Sequence, residues 1–277
     1  MEPDNQFQYT SSAYHTGVKL LNARMADFTY DKHAHEEYCI GVTLKGRQDF
    51  FCSGANHKSR VGNVIYFNPE EVHDGHAGDA SVLEYDMLYI APEKLIPLMK
   101  ALGLHNPNHL RLKETLFNDP LLRQQVIQMS QLLHSKASSQ IEQESGLIQL
   151  AESLVRVGGS RLSFSAGNGH KDKLLLRAKD FIHSNLEQTL TVDNISLAAN
   201  MSKYHFIRLF REQFGITPHQ YVLNCRINQA IQALEQGSDI TDVALRLGFA
   251  DYSHLNRKFK RIFGMTPKQY QRQFCRR

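Results

Sequence analysis

Hydrophobic and polar positions alternate along the first third of the chain. Tyr38, Ile40, Val42 and Leu44 interleave with Cys39, Gly41 and Thr43, the period of two that a pleated strand imposes. Lys45-Gly46-Arg47 reads as a turn, 48–52 as a second strand and Ser53-Gly54-Ala55-Asn56 as a second turn. A third strand over 64–67 stops at Asn68-Pro69, and a further one runs over 81–90. Short strands punctuated every ~8–12 residues predict an antiparallel barrel or sandwich over about 15–95. From Pro92 the period becomes helical. Leu122, Val126, Met129 and Leu133 share a face of a helix near 120–136, as do Leu147, Leu150 and Leu154 of a helix near 141–157. Core packing is the expected use of both stripes, with a homodimer interface as the alternative.

The pattern breaks at Gly158-Gly159-Ser160 and again at Ser165-Ala166-Gly167-Asn168-Gly169. Small residues without periodicity read as a flexible linker. The expected organisation is therefore a first domain over 1–157, a linker over 158–170 and an all-helical domain over 171–277.

That last domain repeats itself. Phe210, Phe214, Gly215, Thr217, Pro218 and Tyr221 recur 49 residues later as Phe259, Phe263, Gly264, Thr266, Pro267 and Tyr270, and Arg208 recurs as Arg257. Upstream the offset is 48: Val192, Ile195 and Asn200 match Ile240, Val243 and Gly248. The second turn thus carries one extra residue, near Ala250-Asp251. Thr191 and Asp239 read as N-caps of a first helix in each unit, and Ser202 as the cap of the next helix. Gly215 and Gly264 end the second helices, over 203–214 and 252–263. Phe206, Leu209, Phe210 and Phe214 group on one face of the earlier helix, and Tyr204, Arg208 and Arg211 on the other. In the later helix Leu255, Phe259, Ile262 and Phe263 face inward, while Ser253, Arg257 and Lys260 face outward.

Charge sharpens this picture. Residues 1–170 carry a net charge of −4 and residues 171–277 a net +8, which points to a polyanionic partner for the helical domain alone. Two helix-turn-helix units, over about 191–214 and 239–263, would meet double-stranded DNA. A helix fits the major groove, Arg pairs bidentately with guanine and Asn suits adenine. Lys and Arg further along hold phosphates. The expected contact residues are Ser202, Lys203, Tyr204, Arg208 and Arg211 in the first unit, with Ile207 at the edge of that face. In the second they are Tyr252, Ser253, Asn256, Arg257 and Lys260. Hydrophobic residues make up 42% of the chain and charged residues 22%, so it is globular rather than disordered. Cys39, Cys52, Cys225 and Cys275 form no C-x-x-C pair, which argues against a disulfide framework or a zinc finger. The first ten residues lack signal-peptide character and no apolar run reaches ~18 residues, so a cytoplasmic, non-membrane protein is expected.

The second unit, Gly248-Phe249-Ala250-Asp251-Tyr252-Ser253-His254-Leu255-Asn256-Arg257-Lys258-Phe259-Lys260-Arg261-Ile262-Phe263-Gly264-Met265-Thr266-Pro267 followed by Tyr270, resembles the AraC/XylS family of bacterial transcription regulators. Met201-Ser202-Lys203-Tyr204-His205-Phe206-Ile207-Arg208-Leu209-Phe210 of the first unit resembles it too. The resemblance spans about 100 residues. It implies seven helices, with a long one near 218–236 joining two helix-turn-helix motifs. It also implies base-reading roles at Tyr204, Ile207 and Arg208, and at Tyr252, Ser253, Asn256 and Arg257. Ile207 departs from the polar residue often found there; it would touch a thymine methyl or pack at the helix edge. The role implied is a ligand-responsive, sequence-specific transcription regulator, more often an activator than a repressor, with RNA polymerase as a further partner.

His33-Ala34-His35-Glu36-Glu37-Tyr38, Gly46 and the run from Gly62 to His73 resemble the cupin-like sensor barrel found in many members of that family. The fold class expected is thus α+β, a cupin-like antiparallel β-barrel with flanking helices followed by an all-α tandem helix-turn-helix domain. His33 and His35 point to one side of a strand and His73 could converge on them. Three imidazoles suffice for a metal site. Glu36 and Glu37, however, lie too close to His35 to match the carboxylate of cupin metalloenzymes. The favoured expectation is a polar pocket of His33, His35, Tyr38 and His73 for an unknown small-molecule effector, without metal, cofactor or catalytic group. His57 and His76 read as solvated loop residues. The competing readings are a cupin metalloenzyme fused to a helical domain and an architectural DNA-binding protein that needs no effector.

Overall fold

The computed structural model describes residues 5–103, 110–135, 137–158, 162–164 and 169–275. The chain divides into two compact units, residues 1–30 with 35–165, and residues 31–34 with 166–277.

The alternating segments of the first unit build two antiparallel sheets. The strands are β1 (Gln6–Ser11), β2 (Val18–Met25), β3 (Thr29–His33), β4 (Tyr38–Lys45), β5 (Arg47–Cys52), β6 (Ala55–Arg60), β7 (Val64–Phe67), β8 (His73–Ala77) and β9 (Leu83–Ile90). After α1 (Pro92–Ala101) come β10 (Leu110–Leu112), β11 (Leu116–Phe117), α2 (Pro120–His134), α3 (Gln140–Gly158) and β12 (Leu162–Phe164). The larger sheet has the order β1-β2-β9-β4-β7-β11 and the smaller one β3-β8-β5-β6.

Strand β4 is buried on both faces up to Thr43, so the larger sheet has a neighbour on each side. On one face Tyr38, Ile40 and Val42 join Leu20, Leu88 and Ile90 in a single apolar cluster with Leu122, Val126, Met129, Leu133, Leu147, Leu150 and Leu154. Both helical stripes therefore serve the core, each buried side chain contributing roughly 1.5–3 kcal/mol. Asp119 caps α2 by accepting from the Leu122 amide at 2.8 Å, and the Arg156 guanidinium near the end of α3 grips the same carboxylate at 2.6 and 2.9 Å. That pair holds the Asp119 carboxyl below the usual carboxylate range.

Three expectations change in detail. The second turn is tighter than 53–56, because β6 begins at Ala55. His57 is no solvated loop residue: it sits on β6 with its ring stacked on Phe50 at 5.0 Å, and His76 lies on β8. Part of the expected linker over 158–170 falls outside the described residues. Inside it, Leu162–Phe164 forms strand β12, which pairs antiparallel with β10. Long-range pairing of this kind leaves no trace in local composition.

The second unit contains α4 (Gly169–Ser184), α5 (Val192–Ala198), α6 (Lys203–Phe214), α7 (Pro218–Glu235), α8 (Ile240–Arg246), α9 (Tyr252–Phe263) and α10 (Pro267–Phe274). The sequence repeat is also a packing repeat. Phe210 meets Tyr221 edge-on at 5.3 Å, and Phe259 meets Tyr270 edge-on at 5.5 Å. Thr217 with Gln220 and Thr266 with Gln269 form matching capping boxes at the starts of α7 and α10, each satisfying two otherwise orphaned amides. No helix among the described residues is long and apolar enough to cross a membrane.

Candidate nucleic-acid interface and histidine cluster

The angle between the two helices of each unit is set at the turn. Asn200 (φ 54°) and Gly248 (φ 70°) both adopt the left-handed conformation, which Gly takes freely and Asn tolerates. The following amides, of Met201 and Phe249, reach back to the carbonyls of Ser196 and Ala244, each at 2.9 Å. This is the Schellman pattern that ends a helix. In the second turn Asp251 stands where Ser202 stands in the first, and its carboxylate accepts from the His254 amide at 2.6 Å. Ser202 makes no such side-chain bond, so the cap expected there is only positional.

On α6 and α9 the aromatic face is inside and the polar face outside. Phe206, Phe210, Leu255, Phe259, Ile262 and Phe263 are buried. Ser202, Lys203, Tyr204, Arg208 and Arg211 are exposed, as are Tyr252, Ser253, Arg257 and Lys260. Tyr204 is the most open of these, with 84% of its surface accessible. Ile207 and Asn256 are half-buried at the helix edges. The Asn256 side-chain oxygen is buried without a hydrogen-bond partner. Lys203 is held by Asp193 of α5 at 2.8 Å, an exposed pair worth at most ~1 kcal/mol and so exchangeable for a phosphate.

Arg226, in the middle of α7, was not anticipated. Its Nε donates to the Leu186 carbonyl at 3.1 Å, Nη2 to that of Gln188 at 2.8 Å and Nη1 to that of Gly248 at 3.0 Å. One guanidinium therefore fastens the segment before α5 to the turn between α8 and α9. A Cβ on Gly248 would come within 2.7 Å of this group. A lone Arg on a long helix carries no sequence signal, since its partners are backbone carbonyls.

His254 lies beside that turn. Its Nδ1 accepts from the Ala250 amide at 3.4 Å and its ring meets Phe249 edge-on at 5.5 Å. Burial, then the Lys258 and Arg257 charges, lower its pKa below the usual 6.5. The neutral ring is the form the fold prefers. Its contribution is complete above about pH 6.5 and is lost as the pH falls. An NMR titration should place the midpoint of this imidazole below 6.5; a midpoint above that value would mean that the neighbouring cations do not act on it.

Strand β3 is hydrogen-bonded to β8 within the small sheet. This brings His33, His35 and His73 together: one ring nitrogen from each lies within 4.8 Å of the others, and all three residues are buried. His33 Nδ1 lies 2.6 Å from the Asp31 carbonyl and His73 Nδ1 2.8 Å from the Glu71 carbonyl. The His73 ring stacks on Phe67 at 3.7 Å, and His35 meets Tyr89 edge-on at 5.0 Å.

Tyr38 does not belong to this group. The strand period places it with the helix-covered core, its ring 6.2 Å from that of Tyr66. The opposite face of the larger sheet carries Tyr89 and Phe67, both paired with Cys39. The aromatic neighbours of the histidines on this face are Phe67 and Tyr89. Burial pushes the hydroxyls of Tyr9, Tyr30, Tyr85 and Tyr89 well above the ordinary tyrosine range, so this interior offers neutral hydrogen-bonding groups. The Cys52 thiol, opposite His73 in the sheet, is pushed up to about 12 by burial and is no nucleophile near neutrality.

Comparison with known proteins bears on both units. Residues 15–151 match the family described as AraC-like ligand binding domain, and residues 195–273 match a helix-turn-helix domain family. The HTH-type transcriptional regulator YbfI of Bacillus subtilis is 30% identical over 228 residues, covering 82% of this chain and 81% of the relative. The transcriptional activator RhaR of Mannheimia succiniciproducens is 24% identical and covers 88% of each chain. Among solved structures, ToxT of Vibrio cholerae with an unsaturated fatty acid bound shares the fold, with a TM-score of 0.67 at 14% identity, covering 95% of this chain and 98% of that one.

Proposed function

The chain belongs to the AraC-type family of helix-turn-helix transcriptional regulators, and from that membership we propose that it is a cytoplasmic, effector-controlled activator. It binds DNA through its helix-turn-helix unit and carries a ligand-binding domain. In this reading α6 and α9 enter two successive major-groove segments about one helical turn, ~10 bp, apart. Tyr204, Ile207 and Arg208 face bases in one segment; Tyr252, Ser253, Asn256 and Arg257 face them in the other. Lys203, Arg211 and Lys260 sit on phosphates, with Ser202 at the start of α6. The observation that carries this reading is the duplicated outward polar face on two helices whose inner faces are buried alike. Turning the Asn256 amide toward a base edge would also give its buried oxygen a partner.

A sensor domain over 1–157 would hold a small molecule against His33, His35, His73 and Tyr89. Effector binding would shift the balance between arrangements of the chain with different DNA affinity. No catalytic step is part of this reading. The outer faces of α2 and α3, where Leu121, Ile141 and Ile148 are exposed, are available for a homodimer, and an activator contacts RNA polymerase.

Selection of bound duplexes from a random pool tests the DNA reading. Two short enriched motifs ~10 bp apart are expected. Arg208→Ala and Arg257→Ala should each cost ~1–3 kcal/mol of affinity and relax preference within one motif only. Uniform weakening across all sequences, with a shallower salt dependence, would make these residues phosphate contacts.

A further inference from the structure

The two motifs of the helical unit do not close completely on one another. Between them lies a cleft of about 340 Å3, within the size range of small-molecule sites. Val192 and Ile195 line it from the first motif, Leu245 and Phe249 from the second, and Val222 and Leu223 from α7, which joins them. Leu245 keeps 60% of its surface open to solvent. Arg226 lines the same cleft. Its hydrogen-bond partners are three neutral carbonyls, which leaves two of its five N–H groups unused. Among the described residues no carboxylate offsets its charge, and burial alone moves its pKa, downward. A half-buried cation without a counter-charge is an unfavourable arrangement that an incoming anion relieves. His219 and His254 add two imidazoles to the lining. After burial, the charges acting on His254 are those of Lys258 and Arg257, the opposing one of Asp251, and His219. The acid of the lining, Glu187, is held by Arg246 at 3.7 Å.

We propose that this cleft binds a small organic anion with an apolar body, such as a short aromatic carboxylate, and that the bound anion braces the two motifs. The carboxylate lies against Arg226 with the two imidazoles beside it, and the apolar body covers Leu245 and Phe249. Inorganic phosphate would answer the cation and leave the apolar lining uncovered. A neutral apolar molecule would do the reverse. The site is thus a second point of control, inside the DNA-binding unit and apart from the ligand-binding domain. Both motifs line it, so its occupant acts on their spacing, and its affinity is linked to that of a duplex engaging both.

The test uses the full chain with 3-phenylpropionate, its neutral counterpart 3-phenylpropanol and inorganic phosphate, followed through the imidazole NMR signals of His219 and His254. Saturable shifts of both signals by 3-phenylpropionate are expected, at roughly tenfold lower concentration than with the alcohol. The His254 midpoint should rise in the complex, because a nearby negative charge favours the imidazolium. Leu245→Glu sets a carboxylate at the exposed edge of the cleft and should abolish the shifts without lowering the melting temperature. Leu197→Glu, at the equivalent position of the first motif but outside the cleft, should keep them. The ligand should change affinity for a two-motif duplex by about fivefold or more and leave a one-motif duplex unaffected. Absence of shifts at the two imidazoles, or shifts that persist in Leu245→Glu, would overturn the site. Equal binding of the alcohol would overturn recognition of charge. Equally tight binding of phosphate, or exclusion of the carboxylate by both duplexes alike, would give the cleft to the nucleic-acid backbone and sink the organic anion. An unaltered two-motif affinity would overturn the bracing. Ligand binding is read without DNA, so failure of the base-reading assignment leaves that result standing.

Discussion

Replacing Arg226 by alanine should lower the stability of the second unit by roughly 2–4 kcal/mol and weaken binding to a two-part DNA site by an order of magnitude or more. The guanidinium serves three carbonyls from two places far apart in sequence, Leu186 with Gln188 and Gly248. Hydrogen bonds to charged groups contribute ~1.5–3 kcal/mol each where they are buried. This group is part-exposed and its bonds are not additive, so the total stays below the sum. The functional loss follows from position: the clamp joins the approach to α5 with the turn that aims α9. Without it the two reading helices hold their spacing less firmly, and the bound geometry must be selected from a broader ensemble. Arg226→Lys should recover little, because an ammonium cannot span three acceptors with the fixed fork of a guanidinium. Circular dichroism melting and titration against one-motif and two-motif duplexes check this. Equal losses on both duplexes would mean that Arg226 supports folding alone and not the spacing of the helices.

The tandem motif was legible in the sequence because its determinants are local. Caps at Thr191 and Asp239, glycines at 215 and 264 and the i, i+3, i+4 aromatics act within a few residues, and the structure places each where the pattern predicts. Arg226 escaped detection because its partners are backbone atoms 22 to 40 residues away.

The first unit shows the same division. Strand β4 was readable from its alternation, and that alternation by itself separates Tyr38 from Cys39. Assigning Tyr38 to the histidine pocket ignored the parity of the strand: the face of Tyr38 turned out to be the helix-covered one. The meeting of His33 and His35 with His73 depends on β3 lying beside β8, a pairing that closes a loop of about forty residues. Composition near either strand does not encode that register. The β10–β12 ladder, across about fifty residues, was invisible for the same reason.

Phe259→Ala should be the most damaging single change in the helical unit. The ring is fully buried, packs on Phe263 at 4.7 Å and meets Tyr270 edge-on at 5.5 Å. Removing it loses the transfer energy of an aromatic side chain and leaves a cavity, together ~3–5 kcal/mol. Domains of this size are stable by only ~5–15 kcal/mol, and each kcal/mol lowers the melting temperature by ~4–8 °C. A fall of at least ~12 °C is expected. DNA binding should fail as a consequence and return on cooling, once the folded fraction recovers. Arg257→Ala, two residues earlier on the opposite face of α9, should show the reverse: an unchanged melting temperature and a loss of affinity that cooling does not restore. Phe210→Ala removes the equivalent ring from the first motif and should repeat the Phe259 result in kind. The comparison separates the two faces of one helix by their thermal signatures. If Arg257→Ala melted early as well, the outer face would be part of the core's support, and its assignment to DNA would fall.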